Sequence, residues 1–137
     1  MKTLDMRFIR YLNLFERACN VRTSSCFEYN SIIIFAVPAS LVSKAIGENG
    51  NNAKQLREVI GRNIKIISSP ESEDDIAKFI LDIIEPLKFK EIQITDSEVI
   101  INAGTQYKAA LIGRNKRRLL ELEDIVKQYF NRALRIV

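Results

Sequence analysis

Apolar side chains follow two different periods along this chain, and the period changes at regular intervals. From Phe8 to Cys19 they recur at i, i+3, i+4, i+7 and i+11, which indicates an amphipathic helix. The segments that follow are rich in β-branched and aromatic residues, which is typical of strands. For the first half, the pattern predicts a helix at 5–19, strands at 21–28 and 31–37 around a turn at 29–30, helices at 39–46 and 51–60, and a strand at 63–67.

The second half repeats this order of periods. An apolar stripe from Ile76 to Ile84 predicts a helix, with Ser72 as its N-cap and Pro86 as its stop. The remaining pattern predicts strands at 89–95 and 98–103 around a turn at 96–97, helices at 106–112 and 116–131, and a last strand at 134–137. Each half therefore reads helix, strand, strand, helix, helix, strand.

A short motif occurs in both halves, each time between two predicted helices. Ala45–Gly50 (AIGENG) recurs as Leu111–Lys116 (LIGRNK), 66 positions later (45 to 111). Further downstream, Leu56 and Val59 correspond at the same offset to Leu122 and Ile125, as apolar positions of the following helix. A repeat at about half the chain length indicates two small domains in tandem.

We expect an α+β protein with two domains, residues 1–70 and 71–137, and a boundary within Ser68–Ser72. The three strands of each domain would form one sheet. Strand residues such as Ile34 and Ile101 need an apolar cover, so the helices are expected on one face of each sheet.

The composition excludes several classes of function. No apolar tract in the 137 residues is long enough to span a bilayer, and the chain does not begin like a signal peptide, so we expect a cytoplasmic protein with no membrane partner. The sequence has no histidine, which removes the usual general base and a usual zinc ligand. We therefore expect no catalytic residues, no metal and no cofactor. Cys19 and Cys26 are predicted to be buried thiols, with a local disulfide as the alternative.

Positive charge is concentrated around the repeated motif. Residues 1–70 carry ten Lys/Arg against five Asp/Glu, residues 71–102 three against nine, and residues 103–137 eight against three. No acidic residue occurs between Ala103 and Leu120. This distribution favours contacts with phosphate groups, and a solvated helix face is the alternative.

The glycines of the first motif offer a physical route to such contacts. Gly47 and Gly50 lack a Cβ atom, so the backbone N–H groups near them can approach a sugar-phosphate chain closely. The N-terminus of the following helix adds partial positive charge at the same place. The nearest candidates for pairing with phosphates are Lys44, Lys54, Arg57 and Lys65.

A G-x-x-G loop between two helices, with strands on both sides of the helices, resembles the KH domain in its type II arrangement. The residues that carry this resemblance are Ile46–Gly50 (IGENG) and the partial copy Ile112–Lys116 (IGRNK). Two such units in tandem are similar to the double KH unit of the NusA family in its short archaeal form. The resemblance covers essentially the whole chain. It implies a single-stranded RNA-binding factor of transcription elongation and termination, with RNA polymerase as a candidate second partner.

By this resemblance, the loop of the first half clamps about four nucleotides of single-stranded RNA. The bases would lie over an apolar groove formed by Val42, Ala45 and Ile46 from the helices and by Ile64 and Ile66 from the strand, and plain core packing is the alternative for each of these residues. The residues predicted to bind RNA are Lys44, Ile46, Gly47, Glu48, Asn49, Gly50, Lys54, Lys108, Ile112, Gly113, Arg114, Asn115, Lys116, Arg117 and Arg118.

Both copies of the motif depart from the family pattern. Glu48 places a negative charge in the first copy, where it would repel phosphate. In the second copy Lys116 replaces a glycine, so we expect the backbone to be encumbered on its C-terminal side. The basic residues from Arg114 to Arg118 could offset this loss. We favour RNA binding by the second copy, and a structural partner that extends the basic surface is the alternative.

Other functions are weighed against RNA binding in transcription. A P-loop nucleotidase needs a glycine directly before the lysine, and Asn115 stands before Lys116. The acidic run around Asp74 and Asp75 lies at a helix start, where capping explains it better than a hydrolytic carboxylate pair. An RNA-binding role in ribosome assembly or RNA processing remains open, as does a non-catalytic protein-interaction module.

Overall fold

The computed structural model describes residues 5–137. These residues divide into two compact units, one that ends at Phe79 and one that spans Ile80–Val137. The border falls within a helix, and the domain division at 70/71 stays a prediction. None of the helices in the described part of the chain is long and apolar enough to cross a membrane.

Both halves are α+β and have the predicted order of elements. The first half contains α1 (Met6–Cys19), β1 (Ser25–Tyr29), β2 (Ile32–Val37), α2 (Val42–Ile46), α3 (Asn51–Ile60) and β3 (Ile64–Ser68). The second contains α4 (Ile76–Ile84), β4 (Glu91–Ile94), β5 (Glu98–Asn102), α5 (Gly104–Ile112), α6 (Arg117–Phe130) and β6 (Ala133–Ile136). Short 3₁₀ turns lead directly into α2, α3, α4 and α6. Ser72 caps the turn before α4, because its hydroxyl accepts a hydrogen bond from the Asp74 N–H at 3.3 Å.

The two sheets have the same topology. The strand orders are β1-β2-β3 and β4-β5-β6, and in each sheet the first pair is antiparallel and the second pair is parallel. A parallel pair needs a long crossover connection. The crossovers are α2 with α3 and α5 with α6, so each copy of the repeated motif lies at the joint between two crossover helices.

The helices of the first unit cover one face of its sheet. Ile33, Phe35 and Val37 of β2 belong to this core, together with Phe15 of α1 and Leu56 of α3. All five are fully buried. The rings of Phe15 and Phe35 stack with their centroids 4.5 Å apart.

The opposite face of this sheet is also buried, so the expectation of an apolar cover on one face alone is wrong for the first half. Ile34 and Ala36 are 0% exposed. On their face, Phe27 pairs in register with Ile34 and meets the ring of Phe79 from α4 edge to face, with the centroids 6.1 Å apart. The unbroken apolar run of β2 is typical of a strand that is buried on both faces.

The second sheet has one apolar face and one polar face. Val99 and Ile101 of β5 are fully buried, and Leu134 of β6, the register partner of Val99, is nearly so. On the other face, Glu98 forms an ion pair with Arg135 at 3.4 Å, and both side chains reach solvent. This half therefore agrees with the expectation of a single apolar face.

The first hairpin differs from its prediction at both ends. β1 begins at Ser25 rather than Val21, because Thr23 bonds to β2 through its side chain: its hydroxyl donates to the Ala36 carbonyl at 2.6 Å and accepts from the Ser25 N–H at 3.1 Å. The turn lies at Asn30 and Ser31, one residue later than predicted. Both have positive φ, 52° and 64°, as in a type I′ turn.

The proposed equivalence of Val59 and Ile125 is wrong. Val59 is 47% exposed on α3, whereas Ile125 is 4% exposed on α6. α3 has 10 residues and α6 has 14, so α6 is about one turn longer. Both helices end in a left-handed cap, at Gly61 and Asn131, so the offset between the halves changes from 66 to 70 (61 to 131) across these helices.

Both cysteines are free thiols, so the alternative of a local disulfide is wrong; Cys19 is buried, as predicted, whereas Cys26 is half-buried. Burial raises the pKa of Cys19 to about 11 and that of Cys26 to about 12. Because the thiolate is the reactive form, both side chains are expected to be chemically inert in the folded protein.

Candidate nucleic-acid interface

The first loop, Gly47–Gly50, has a backbone conformation that only certain residues can adopt. Gly47 has φ 85° and ψ 168°, a region that is essentially restricted to glycine. Asn49 and Gly50 are left-handed, with φ 56° and 73°. The Gly47 N–H donates to the Ser43 carbonyl and the Gly50 N–H to the Gly47 carbonyl, both at 3.0 Å. These bonds turn the chain sharply between α2 and α3.

The second loop, Gly113–Lys116, has the same conformation at every equivalent position. Gly113 has φ 76° and ψ 172°, and Asn115 and Lys116 are left-handed, with φ 56° and 60°. The Gly113 N–H donates to the Ala109 carbonyl at 2.9 Å, and the Lys116 N–H donates to the Gly113 carbonyl at 3.2 Å. Lys116 therefore adopts the conformation that glycine has in the first loop, and the expectation that its side chain encumbers the backbone stays a prediction.

The fourth position of the loop tolerates a side chain because it has room. Apart from Gly50 itself, its two neighbours in the chain and the backbone of its own helical turns, no atom of residues 5–137 would lie within 4 Å of a Cβ atom at this position. A left-handed conformation costs a residue with a Cβ about 1 kcal/mol or somewhat more, which a folded loop can bear. Lysine at this position is thus a change of side chain and charge and leaves the fold of the loop intact.

The first position of the loop has no such room. A Cβ atom at Gly47 would lie 2.7 Å from Cγ of Asn52 and 2.9 Å from its backbone nitrogen. At Gly113 the nearest atoms belong to Arg118, with its Cγ at 3.0 Å. Nothing in the sequence distinguishes the two glycines of the motif, whereas in the structure only the first position requires a glycine.

One side chain after each loop fastens it to the preceding helix. Asn52 Nδ2 donates to the Lys44 carbonyl at 3.3 Å, and Arg118 donates from its guanidinium to the Ala110 carbonyl at 3.1 Å. Asn52 and Arg118 are equivalent at the 66-residue offset, and so are their acceptors (44 to 110). Asn52 was missed as a loop residue, and its place in the repeat opposite Arg118 was the available signal. Arg118 was predicted to bind RNA, and this bond gives its guanidinium a role in holding the loop.

The loops and the first residues of their helices differ greatly in charge. Residues 48–52 read ENGNN, with one negative charge, and residues 114–118 read RNKRR, with four positive charges. Arg114, Lys116 and Arg117 are exposed, and they form no ion pair or side-chain hydrogen bond within residues 5–137. Around the first loop, Lys44 and Lys54 are likewise exposed and unpaired within that range.

The apolar residues predicted to line a groove divide into two groups. Ala45 and Ile64 belong to the core, 0% and 9% exposed, so their prediction as base contacts is wrong. Val42, Ile46 and Ile66 are half-buried and retain accessible surface.

In the second half, the matching groove position carries a charge. Lys108 stands at the position of Val42 (42 to 108) and is exposed, and Ile112 stands at that of Ile46 and is half-buried.

Comparison with known proteins matches residues 32–80 to the KH domain family. The matched segment runs from β2 into α4 and includes the first loop with both flanking helices. KH domains bind single-stranded nucleic acid, and their G-x-x-G loop holds about four nucleotides by the backbone. This family accounts for the strict Gly47 and for the exposed N-terminus of α3.

Two similar proteins are archaeal and span both halves of the chain. One, from Methanocaldococcus jannaschii, carries the name "Probable transcription termination protein NusA" and is 27% identical over 125 residues, 88% of this chain and 67% of the relative. The other, from Methanococcus vannielii, has the same name and is 24% identical over 126 residues, 89% of this chain and 71% of the relative. The resemblance to archaeal NusA is thereby confirmed.

A solved structure shares the fold. The protein in "Crystal structure of APE1850" matches with a TM-score of 0.66 and 22% identity, covering 98% of this chain and 100% of that one. The match extends beyond the KH segment and includes the elements of the second half.

Proposed function

We propose that this protein binds single-stranded RNA through two tandem KH domains and acts as a NusA-like factor in transcription elongation and termination. One observation carries the proposal: the two loops have the same backbone conformation and the same backbone hydrogen bonds, and in each of them one side chain bonds the loop to the preceding helix. A second half that served only as a scaffold would have no need for a glycine-only conformation at Gly113.

The two loops would contribute in different ways. In the first loop, the bare backbone around Gly50 admits close approach of a phosphate, and Lys44 and Lys54 supply charge from the sides. In the second loop, Lys116 occupies the space above the backbone, so binding would rest on the charges of Arg114, Lys116 and Arg117. We therefore assign base preference to the first half and general affinity for phosphates to the second.

The transcription role rests on the names of the archaeal relatives. RNA polymerase is a candidate partner by the same resemblance, and the cytoplasm is the corresponding location. A role in ribosome assembly or RNA processing would use the same RNA-binding surfaces. Crosslinking in cells, followed by sequencing of the bound RNA, separates these roles, because a transcription factor is expected on nascent transcripts of many genes and an assembly factor on ribosomal RNA.

Binding of a ten-nucleotide single-stranded RNA at several salt concentrations tests the function. We expect the logarithm of the affinity to fall linearly with the logarithm of the salt concentration, with a slope of about −0.7 for each phosphate contact. A module for protein interaction would show no measurable RNA affinity at 50 mM salt, and that result would refute the proposal.

Removal of the second-loop charges tests the role of that loop. Changing Arg114, Lys116 and Arg117 together to alanine should weaken all RNA sequences to a similar degree and flatten the salt slope by about 2, for three contacts of about 0.7 each. Arg118 stays unchanged because it fastens the loop.

A control variant removes three positive charges elsewhere, at Arg10, Arg17 and Lys127, which are all exposed. This control should leave the slope nearly unchanged. Equal slopes for both triple variants would mean that the second loop does not contact RNA.

A further inference from the structure

A polar cavity lies at the end of α3 that is remote from the first loop. Its volume is about 430 Å³, and it is lined by Ser31, Arg57, Gly61, Arg62 and Asn63, which we call the arginine pocket. The described lining contains two guanidinium groups and no carboxylate. A cavity of this size and composition suits a phosphate group with part of its ester.

The two arginines of the pocket have different surroundings. Arg62 is held in place, with one guanidinium nitrogen donating to Glu28 at 3.2 Å and the other to the Ser31 carbonyl at 3.0 Å. The hydrogen bond with Glu28 raises the pKa of Arg62 above its ordinary value. Arg57 is exposed and makes no ion pair or side-chain hydrogen bond within residues 5–137. Arg62 therefore shapes the pocket, and Arg57 retains its donors for a ligand.

The pocket is aligned with the first loop along one side of α3. Gly50, Lys54, Arg57 and Gly61 follow one another at intervals of three or four residues, which places them on one flank of the helix. From Gly50 to Gly61 the helix advances about 16 Å, since each residue rises 1.5 Å. At a rise of 3.4 Å per nucleotide, this distance corresponds to about five stacked nucleotides.

Glu58 lies on the same flank of α3, because it follows Lys54 by four residues and precedes Gly61 by three. It is exposed, and it does not line the cavity. Between the loop and the pocket this flank therefore carries two positive side chains, Lys54 and Arg57, and one negative side chain.

The second half shares the fixed arginine and has a lysine in place of the available arginine. Arg132 follows the cap of α6 as Arg62 follows that of α3, and it donates to the Thr95 carbonyl in its own hairpin turn at 2.7 Å. Counted from the same caps, Arg57 corresponds to Lys127, because the cap N–H of Gly61 donates to the Arg57 carbonyl and that of Asn131 to the Lys127 carbonyl. Counted from the loops, Lys54 corresponds to Leu120 (54 to 120). A basic residue four positions before the cap and the fixed arginine after it therefore recur in both halves, whereas Lys54 is particular to the first half.

We infer that the arginine pocket binds a phosphate of the RNA chain outside the nucleotides held by the first loop. This inference rests on the proposed function and extends the RNA site of the first half along α3. Lys54 lies between the two ends and would pair with a phosphate on the way. A free phosphate or a mononucleotide offers the same chemistry, so the test has to separate these sources from RNA.

The test compares two lengths of RNA with wild type, Arg57→Ala and the charge-matched control Arg17→Ala. A four-nucleotide RNA can occupy the loop alone, and a ten-nucleotide RNA can reach the pocket. Arg57→Ala should weaken the ten-mer about fivefold to tenfold and leave the four-mer within twofold, and Arg17→Ala should change neither beyond twofold. Because Arg57 is exposed, the variant is expected to keep its thermal unfolding curve, which circular dichroism checks.

The other outcomes are also decisive. Equal weakening of both lengths by Arg57→Ala, or no weakening of either, overturns the inference while RNA binding itself stands. Titration of inorganic phosphate and of a nucleoside monophosphate, followed by the amide resonances of Gly61 and Asn63, separates the sources: saturation at these amides without a length effect on RNA would assign the pocket to a small phosphate ligand. Failure of the wild-type protein to bind either RNA refutes the proposed function as well.

Discussion

Gly50→Asp should weaken the binding of single-stranded RNA about 30-fold, whereas Gly50→Lys should weaken it much less, because its positive charge offsets the loss of the bare backbone. Both substitutions add a Cβ atom at a left-handed residue with open space around it, so their cost in stability is similar, about 1 kcal/mol. They differ in the charge that they bring to the loop. The loss with aspartate corresponds to about 2 kcal/mol, the scale of one charge-assisted hydrogen bond to a phosphate.

Lysine is the informative control because the second loop already carries it. Lys116 has φ 60° where Gly50 has 73°, so Gly50→Lys reproduces a loop that this chain builds elsewhere. Fluorescence anisotropy with a labelled four-nucleotide RNA measures the affinities, and circular dichroism verifies the fold. Equal losses for aspartate and lysine would show that bulk at this position matters rather than charge, and equal retention would place the RNA elsewhere.

The order of the elements could be predicted from the sequence because each element has a clear apolar period. The buried helix α4 and the run of β2 stand out by composition alone. The start of β1 was predicted too early because a side chain takes the place of a backbone hydrogen bond there. The hydroxyl of Thr23 donates to the Ala36 carbonyl ahead of β1. The turn at Asn30 and Ser31 was misplaced by one residue, because serine is seldom left-handed and carries no turn signal as strong as glycine.

The location of the loops was predicted, but the different roles of their residues were not. The motif marked both loops, since glycine between two helices is a strong local signal. The distinction between a strict Gly47 and a tolerant Gly50 depends on the position of Asn52, which only the folded structure provides. The arginine pocket joins Ser31 to Arg57 and Asn63, residues from three parts of the chain, so no local pattern could have indicated it.

Gly47→Ala should destabilise the first unit by about 3 kcal/mol, in contrast to about 1 kcal/mol for Gly50→Ala. The backbone of Gly47, with φ 85° and ψ 168°, lies in a region that costs other residues about 1–3 kcal/mol. The new methyl group would also lie 2.9 Å from the backbone nitrogen of Asn52, which cannot withdraw without bending the start of α3. Urea unfolding of the two variants beside wild type measures the difference.

Gly113→Ala provides an intermediate case that tests the reasoning. Its backbone angles are nearly the same, but a new Cβ atom would be less crowded: Cγ of Arg118 lies at 3.0 Å and its Cβ atom and backbone nitrogen at 3.1 Å, against 2.7, 2.8 and 2.9 Å for the three closest atoms of Asn52 at Gly47. We therefore expect the loss of stability to follow the order Gly47, Gly113, Gly50, with the largest first. If Gly47→Ala is as stable as Gly50→Ala, then the first loop relaxes into another conformation at little cost. The shared conformation of the two loops would then no longer support an RNA site in the second half.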